Sequence, residues 1–152
     1  IPDSVNPWVY IPIQKQWRRG VAIHQWMNLI PPEASVAADT HLIPQLAQRR
    51  ILLRFPRHYQ YLDVQGNSLE VDFVVSQPRF NIDYLPAFRN EGRLAQKSIN
   101  LMDDLLQNHN YGIFFSDQKT IILKRNYLSS ADKLESFNQE MNELKAILKE
   151  SF

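Results

Sequence analysis

Apolar and polar residues alternate along this chain in blocks whose period separates helices from strands. Trp17, Val21, Ala22, Trp26, Leu29 and Ile30 recur at the three- and four-residue spacing of a helix. Gly20 weakens such a helix by about 1 kcal/mol relative to alanine, so it could start one turn later. Pro31 and Pro32 end it near Leu29, because proline cannot continue a helix and pushes its predecessor toward extended geometry. Residues 35–38 are short and apolar and read as a strand covered on both faces, a pattern a buried helix fragment shares. Asp39 and Thr40 then offer N-cap oxygens to a brief helix with Pro44 near its first turn, ending around Arg49 and Arg50. Residues 51–55 form the next strand, closed by Pro56. Two strands joined through a helix are expected to be parallel, with a right-handed crossover.

Residues 57–68 are polar around the turn signal Gly66-Asn67, and residues 69–75 read as a third strand. Residues 78–92 are polar and spotted with aromatics; a loop of about 15 residues is long for a compact domain and suggests a functional or mobile segment. Leu94, Ser98, Leu101 and Leu105 lie beside a second row of Ala95, Ile99, Met102 and Leu106, the broad stripe of a helix facing a sheet, and that helix should stop near Asn108-His109-Asn110. Residues 111–115 and 120–124 flank a four-residue loop as a hairpin. The expected fold is α/β: a three-layer, doubly wound, mostly parallel small sheet of order 2-1-3, extended on the third-strand side by a hairpin whose last strand is antiparallel. Residues 1–14, with Pro2, Pro7 and Pro12, are expected to be an extended lead-in, residues 15–128 the α/β domain and residues 129–152 an amphipathic helix. Ser129 with Asp132 gives that helix a capping-type start. Leu134, Phe137, Met141, Leu144 and Leu148 repeat at spacings of 3, 4, 3 and 4, the seam of a short coiled coil or of a helix packed on its own domain. Packing on the domain is the expectation, with a homotypic contact as the alternative.

The stretch from Ile30 to Pro56 carries a resemblance. Ile30-Pro31-Pro32, Ala34-Ser35-Val36 and Ala38 are followed by Leu42, Pro44, Leu46 and Arg49, and then by Phe55-Pro56. Val71 to Val75 and the hairpin from Tyr111 to Arg125 extend the likeness, which covers roughly residues 17–126. In these residues the chain resembles a family of bacterial predicted multi-pass membrane proteins of unknown function, related to the GT-C integral-membrane glycosyltransferases. That family commonly has Asn and an additional His in the loop where this chain has Asp39 and Gln45. The resemblance implies a soluble domain, expected on the extracytoplasmic side, with transmembrane helices of the same protein upstream. It implies a non-catalytic scaffold or recognition surface. The alternatives are an accessory substrate-binding domain of a GT-C-like membrane glycosyltransferase, touching lipid head groups or a lipid-linked substrate, and a stand-alone small-molecule binding module. The catalytic carboxylate of GT-C enzymes belongs to a loop of the membrane portion, and nothing in this chain matches it.

Composition narrows the chemistry. With 152 residues, 44% hydrophobic, the chain suits one domain, and no apolar run approaches the length of a membrane helix. It begins with Ile and carries no signal-peptide pattern, as expected of a piece of a longer protein. A net charge of +1 gives no footprint for nucleic acid. Arg49, Arg50, Arg54 and Arg57 cluster within the sequence, either as a patch for phospholipid head groups or another anion, or as solvated charges around a strand. The absence of cysteine excludes disulfides and thiolate zinc sites, and His24, His58 and His109 lack metal-ligand spacing. No glycine-rich phosphate loop exists, and neither cofactor nor metal is expected; monomer or weak dimer is the expected state. Asp39, Thr40 and His41 follow the first strand where open α/β sheets bind ligands, and an Asp39–His41 acid–base pair with Ser76 is conceivable. The plainer reading makes Asp39 and Thr40 helix caps with His41 partly exposed, and no catalytic residue is assigned. Asp72 sits inside an apolar strand, as a tuned acid or as the partner of a nearby arginine.

Overall fold

The computed structural model describes residues 13–83, 89–117 and 119–150. The lead-in expected over residues 1–14 lies outside the described residues except for its last two, Ile13 and Gln14, which are helical. The chain divides after Pro31 into two units. In the first, helix α1 (Ile13–Met27) runs through Gly20 without a break, so the glycine does not delay its start. The amides of Leu29 and Ile30 bond back to Trp26 and Met27, and the two prolines end the helix where expected.

The second unit is a mixed α/β fold around a five-stranded sheet of order β2-β1-β5-β7-β6. Strands β1 (Val36–Ala38), β2 (Leu52–Arg54) and β5 (Phe73–Ser76) are parallel, with β1 in the centre. A 3-10 turn (Thr40–Leu42) and the four-residue helix α2 (Ile43–Leu46), with Pro44 in its first turn, carry β1 to β2. Strand β7 (Ile121–Arg125) joins β5 antiparallel and β6 (Tyr111–Ser116) closes the hairpin, so the expected strand order and the antiparallel last strand are both found.

Two segments depart from the sequence reading. The third strand is shorter than residues 69–75, because β4 (Ser68–Glu70) leaves the main sheet to pair with β3 (Gln60–Leu62) as a separate hairpin. Its turn is held by Asp63, whose Oδ1 accepts from the amides of Gln65 at 2.9 Å and Asn67 at 2.8 Å, with Gly66 at φ 83 supplying the left-handed residue. The polar stretch from Pro78 is not one long loop: α3 (Pro78–Asp83) starts on the proline, and α4 (Arg89–Asn108) begins a turn earlier than its apolar rows.

Helices α4 and α5 (Ala131–Glu150) cover one face of the sheet. Ala37, Val74, Ile113 and Leu123 meet Ala95, Ile99, Met102 and Leu105 of α4 and Phe137, Met141, Leu144 and Leu148 of α5 in one core. The α5 seam is thus buried within its own chain, and Leu134 packs at its edge. Its start differs in detail from the capping pattern: Ser130 Oγ accepts the Lys133 amide at 3.4 Å, whereas Ser129 Oγ accepts the amide of Ile113 at 2.8 Å and ties the helix entry to β6. At the amino edge of the sheet Asp72 accepts from Ser35 Oγ at 3.0 Å and from Arg125 at 3.2 Å, so it clamps the starts of β1 and β5 to the end of β7, as the partner of a nearby arginine. Among the described residues no helix is long and apolar enough to cross a membrane.

Candidate functional site

The parallel register itself builds a site. Ala38 stands beside Arg54 on one side and Val75 on the other, so the next residue of each strand, Asp39, Phe55 and Ser76, emerges at one level. The ladders run one step further: the Phe55 amide donates to Ala38 O at 2.9 Å and the Asp39 amide to Val75 O at 3.2 Å. This is the carboxyl edge of the sheet, where the chain turns from β1 toward β2 on one side and β5 lies on the other, the crevice in which open α/β sheets bind ligands.

A cleft of about 350 Å³ opens there. Asp39, Thr40 and His41 line it from the end of β1, and Phe55, Pro56 and Arg57 from the end of β2, with the Phe55–Pro56 peptide cis. Phe80 and Asn81 of α3 and Glu91 and Leu94 of α4 complete it. Such a volume suits a small ligand.

Asp39 lies at the base with 3% exposure. It occupies the N-cap position, yet its side chain makes no cap bond, so its expected capping role is not found; only its carbonyl accepts the first turn's Leu42 amide at 2.9 Å. The carboxylate instead crosses to β5, where Oδ2 accepts the Gln77 amide at 2.7 Å and both oxygens face the Ser76 hydroxyl at 3.1 and 3.2 Å. Burial pushes its pKa up to about 7; the Gln77 amide and the Ser76 hydroxyl oppose that rise, and the nearby charge of Glu91 adds to it. A carboxyl of this kind exchanges its proton near neutrality, and a ligand that brings or removes charge shifts it either way.

His41 is held by a second chain of contacts. Its Nε2 lies 2.8 Å from Gln77 Oε1, an acceptor, so this nitrogen carries the hydrogen, while Gln77 Nε2 donates to Thr120 Oγ1 at 2.8 Å. The ring stacks on Phe80 with centroids 3.7 Å apart, so His41 is half-buried against an aromatic wall. Asp39, His41 and Ser76 are therefore brought to one edge, Ser76 bonded to Asp39 and His41 to Gln77. The Ser76 hydroxyl, fully buried, donates to a carboxylate rather than to an imidazole, and the imidazole is engaged by an amide.

The four arginines do not share one face of the cleft. Arg49 and Arg50 precede β2, whereas Arg54 ends it and Arg57 follows it into the cleft wall. Arg49 is half-buried, and desolvation lowers its guanidinium pKa against the opposing charge of Glu33. Thr40 is exposed on the rim. Among the described residues no group of His, Asp and Glu side chains could hold a metal ion.

Phe80, Asn81 and Glu91 are not among the expected site residues because they fall in the stretch that reads as a loop, and Leu94 reads only as part of the α4 stripe. Pro78 directly after a strand and Glu91 ahead of an apolar row are both helix-start signals that would have placed them. No curated protein and no solved structure matches the chain significantly. Residues 1–123 match a family described as predicted membrane protein (DUF2079), and the chain belongs to that family.

Proposed function

We propose that the second unit is a non-catalytic recognition domain of a membrane protein, receiving a small polar ligand in the cleft at the carboxyl edge of its sheet. The observation that carries this reading is Asp39, buried at the cleft base with its pKa near neutrality while the neighbouring Ser76 hydroxyl is spent on hydrogen bonding to it. A site with a proton-adjustable carboxyl, a buried Asn81 and an aromatic wall is equipped to bind and orient a ligand but not to attack it. Upstream transmembrane helices of the same protein and an extracytoplasmic position of the domain belong to the same proposal.

A second reading draws on Arg57 in the cleft wall and on the resemblance to GT-C relatives: the cleft contributes contacts to the acceptor or the lipid-linked phosphate of a membrane-embedded transferase. The two separate on ligand charge. Titration of a panel of neutral and anionic metabolites into labelled protein should shift the amides of Gln77, Asn81 and Glu91 together, and Asn81→Ala should weaken that binding. A response confined to phosphorylated ligands and lost in Arg57→Gln would favour the second reading. Reproducible turnover abolished by Asp39→Asn, with the fold intact, would replace both.

A further inference from the structure

A second concave surface lies on the helical face, away from the base of the cleft. Arg93 and Lys97 of α4 and Lys145 and Lys149 of α5 line a shallow groove of about 760 Å³, with Leu148 in its floor. The two cations of each helix are four residues apart, the spacing that puts side chains on one side of a helix, so the pairs converge instead of encircling their helices. The helices are tied together by Lys145 Nζ, 2.8 Å from Asp103 Oδ2, and by the shared core. Among the described residues no carboxylate lines the groove, although the chain carries nearly equal numbers of acids and bases. Of the groove's four cations Lys145 is paired with Asp103, while Arg93, Lys97 and Lys149 are exposed on one side of the helix pair.

The first turns of α4 join this groove to the cleft. Glu91 and Leu94 line the cleft at the carboxyl edge of the sheet, and Arg93 and Lys97, on the same turns, line the groove. The groove and the cleft thus share the first turns of α4.

We infer that the α4–α5 groove docks the domain on the anionic phospholipid surface of a bilayer and so holds the cleft beside that surface. The occupant follows from charge complementarity and from the family, whose members are predicted membrane proteins, while none of the described helices can itself cross a membrane. Anionic head groups attract clustered Lys and Arg side chains at a surface, and the attraction decays within a Debye length, so a rigid, converged set is favoured over the same charges dispersed. This inference does not rest on the cleft's ligand.

The test is flotation of the full 152-residue chain with phosphatidylcholine vesicles, with and without phosphatidylglycerol. Binding is expected only to the phosphatidylglycerol vesicles and should fall steeply with added salt. Lys97→Gln with Lys149→Gln should weaken it about 30-fold, the equivalent of about 2 kcal/mol for two cations. Arg50→Gln with Arg54→Gln, which removes equal charge from exposed positions elsewhere, should leave it nearly unchanged. Should the lysine pair fail to fold, Arg93→Gln carries the same comparison at one charge. Equal flotation on both vesicle types, salt-insensitive binding, or equal loss in the two double variants would overturn the inference. Tight binding of a short RNA without vesicle binding would overturn it too.

Discussion

Replacing Asp39 by Asn tests the structure at its most telling residue, because the amide reproduces the protonated carboxyl and never ionises. Its oxygen can accept the Gln77 amide, and its nitrogen can donate to Ser76 Oγ once the hydroxyl turns, so the polar contacts of the site survive. In the wild type, burial raises the pKa from 3.8 to about 7, so the fold favours the protonated acid over the carboxylate. The contribution to stability is full below the unfolded value and is lost as pH rises through the folded one. At about 1.4 kcal/mol per pH unit that interval amounts to roughly 4 kcal/mol, a ceiling for the effect. The stability of Asp39→Asn minus that of the wild type should therefore be near zero or slightly negative at about pH 4 and climb to several kcal/mol by about pH 8. Urea unfolding followed by far-ultraviolet circular dichroism, in matched buffers across that range, gives the difference directly, provided the denaturant slope is constant. Parallel stability curves for the two proteins would show that Asp39 is ionised in the fold at ordinary cost, and the account of its burial would fail.

Asp39→Ala should cost more than the roughly 1 kcal/mol of a lost helix cap, because it leaves the buried Gln77 amide and Ser76 hydroxyl without their acceptor, each worth about 1–3 kcal/mol; thermal or urea unfolding at about pH 5 measures it. Phe137→Ala should cost about 3–5 kcal/mol, with a midpoint independent of protein concentration, because the ring is 1% exposed in the chain's own core; a concentration-dependent midpoint would reassign it to an intermolecular seam. Gly112→Ala should destabilise by about 1–3 kcal/mol or more, since a Cβ there would overlap the backbone carbonyl of Tyr127, which cannot swing away as a side chain would; unchanged melting would mean that the turn after β7 yields freely.

Much of the fold was legible because its signals are local. Proline punctuation marked both ends of the β1–α2–β2 passage, and the twin rows of Ala95, Ile99, Met102 and Leu101, Leu105 announced α4. The order of the strands followed from topology, since two parallel connections around a central strand leave the hairpin few places to go. The β3–β4 hairpin was not legible. Tyr61 and Leu69 are the only large apolar partners facing each other across it, and a three-residue ladder held by an aspartate turn carries too little periodicity to register. The same thinness hid α3, whose six residues complete fewer than two turns and whose only signal is Pro78 at its start.

The site was half legible, and the reason lies in what an aspartate after a strand can do. In sequence Asp39 is followed by Thr40 and a helix with an early proline, so the nearest orphan amides are those of its own helix, and capping is the economical assignment. Choosing instead the Gln77 amide and Ser76 hydroxyl requires knowing that residues 38 and 37 positions away end at the same level of the sheet, information held only in the β1–β5 register. Once that register is formed the choice is forced by strength. The end of β5 brings to this 3% exposed carboxyl a backbone amide at 2.7 Å and a hydroxyl that spans both oxygens, and the 3-10 turn that follows Asp39 receives no side-chain cap bond from it. The carboxylate thereby becomes part of the floor of a cleft rather than the end of a helix. The residue that sequence logic assigns to local structure is the one that the fold commits to long-range chemistry, and the pH dependence of Asp39→Asn reads out that commitment.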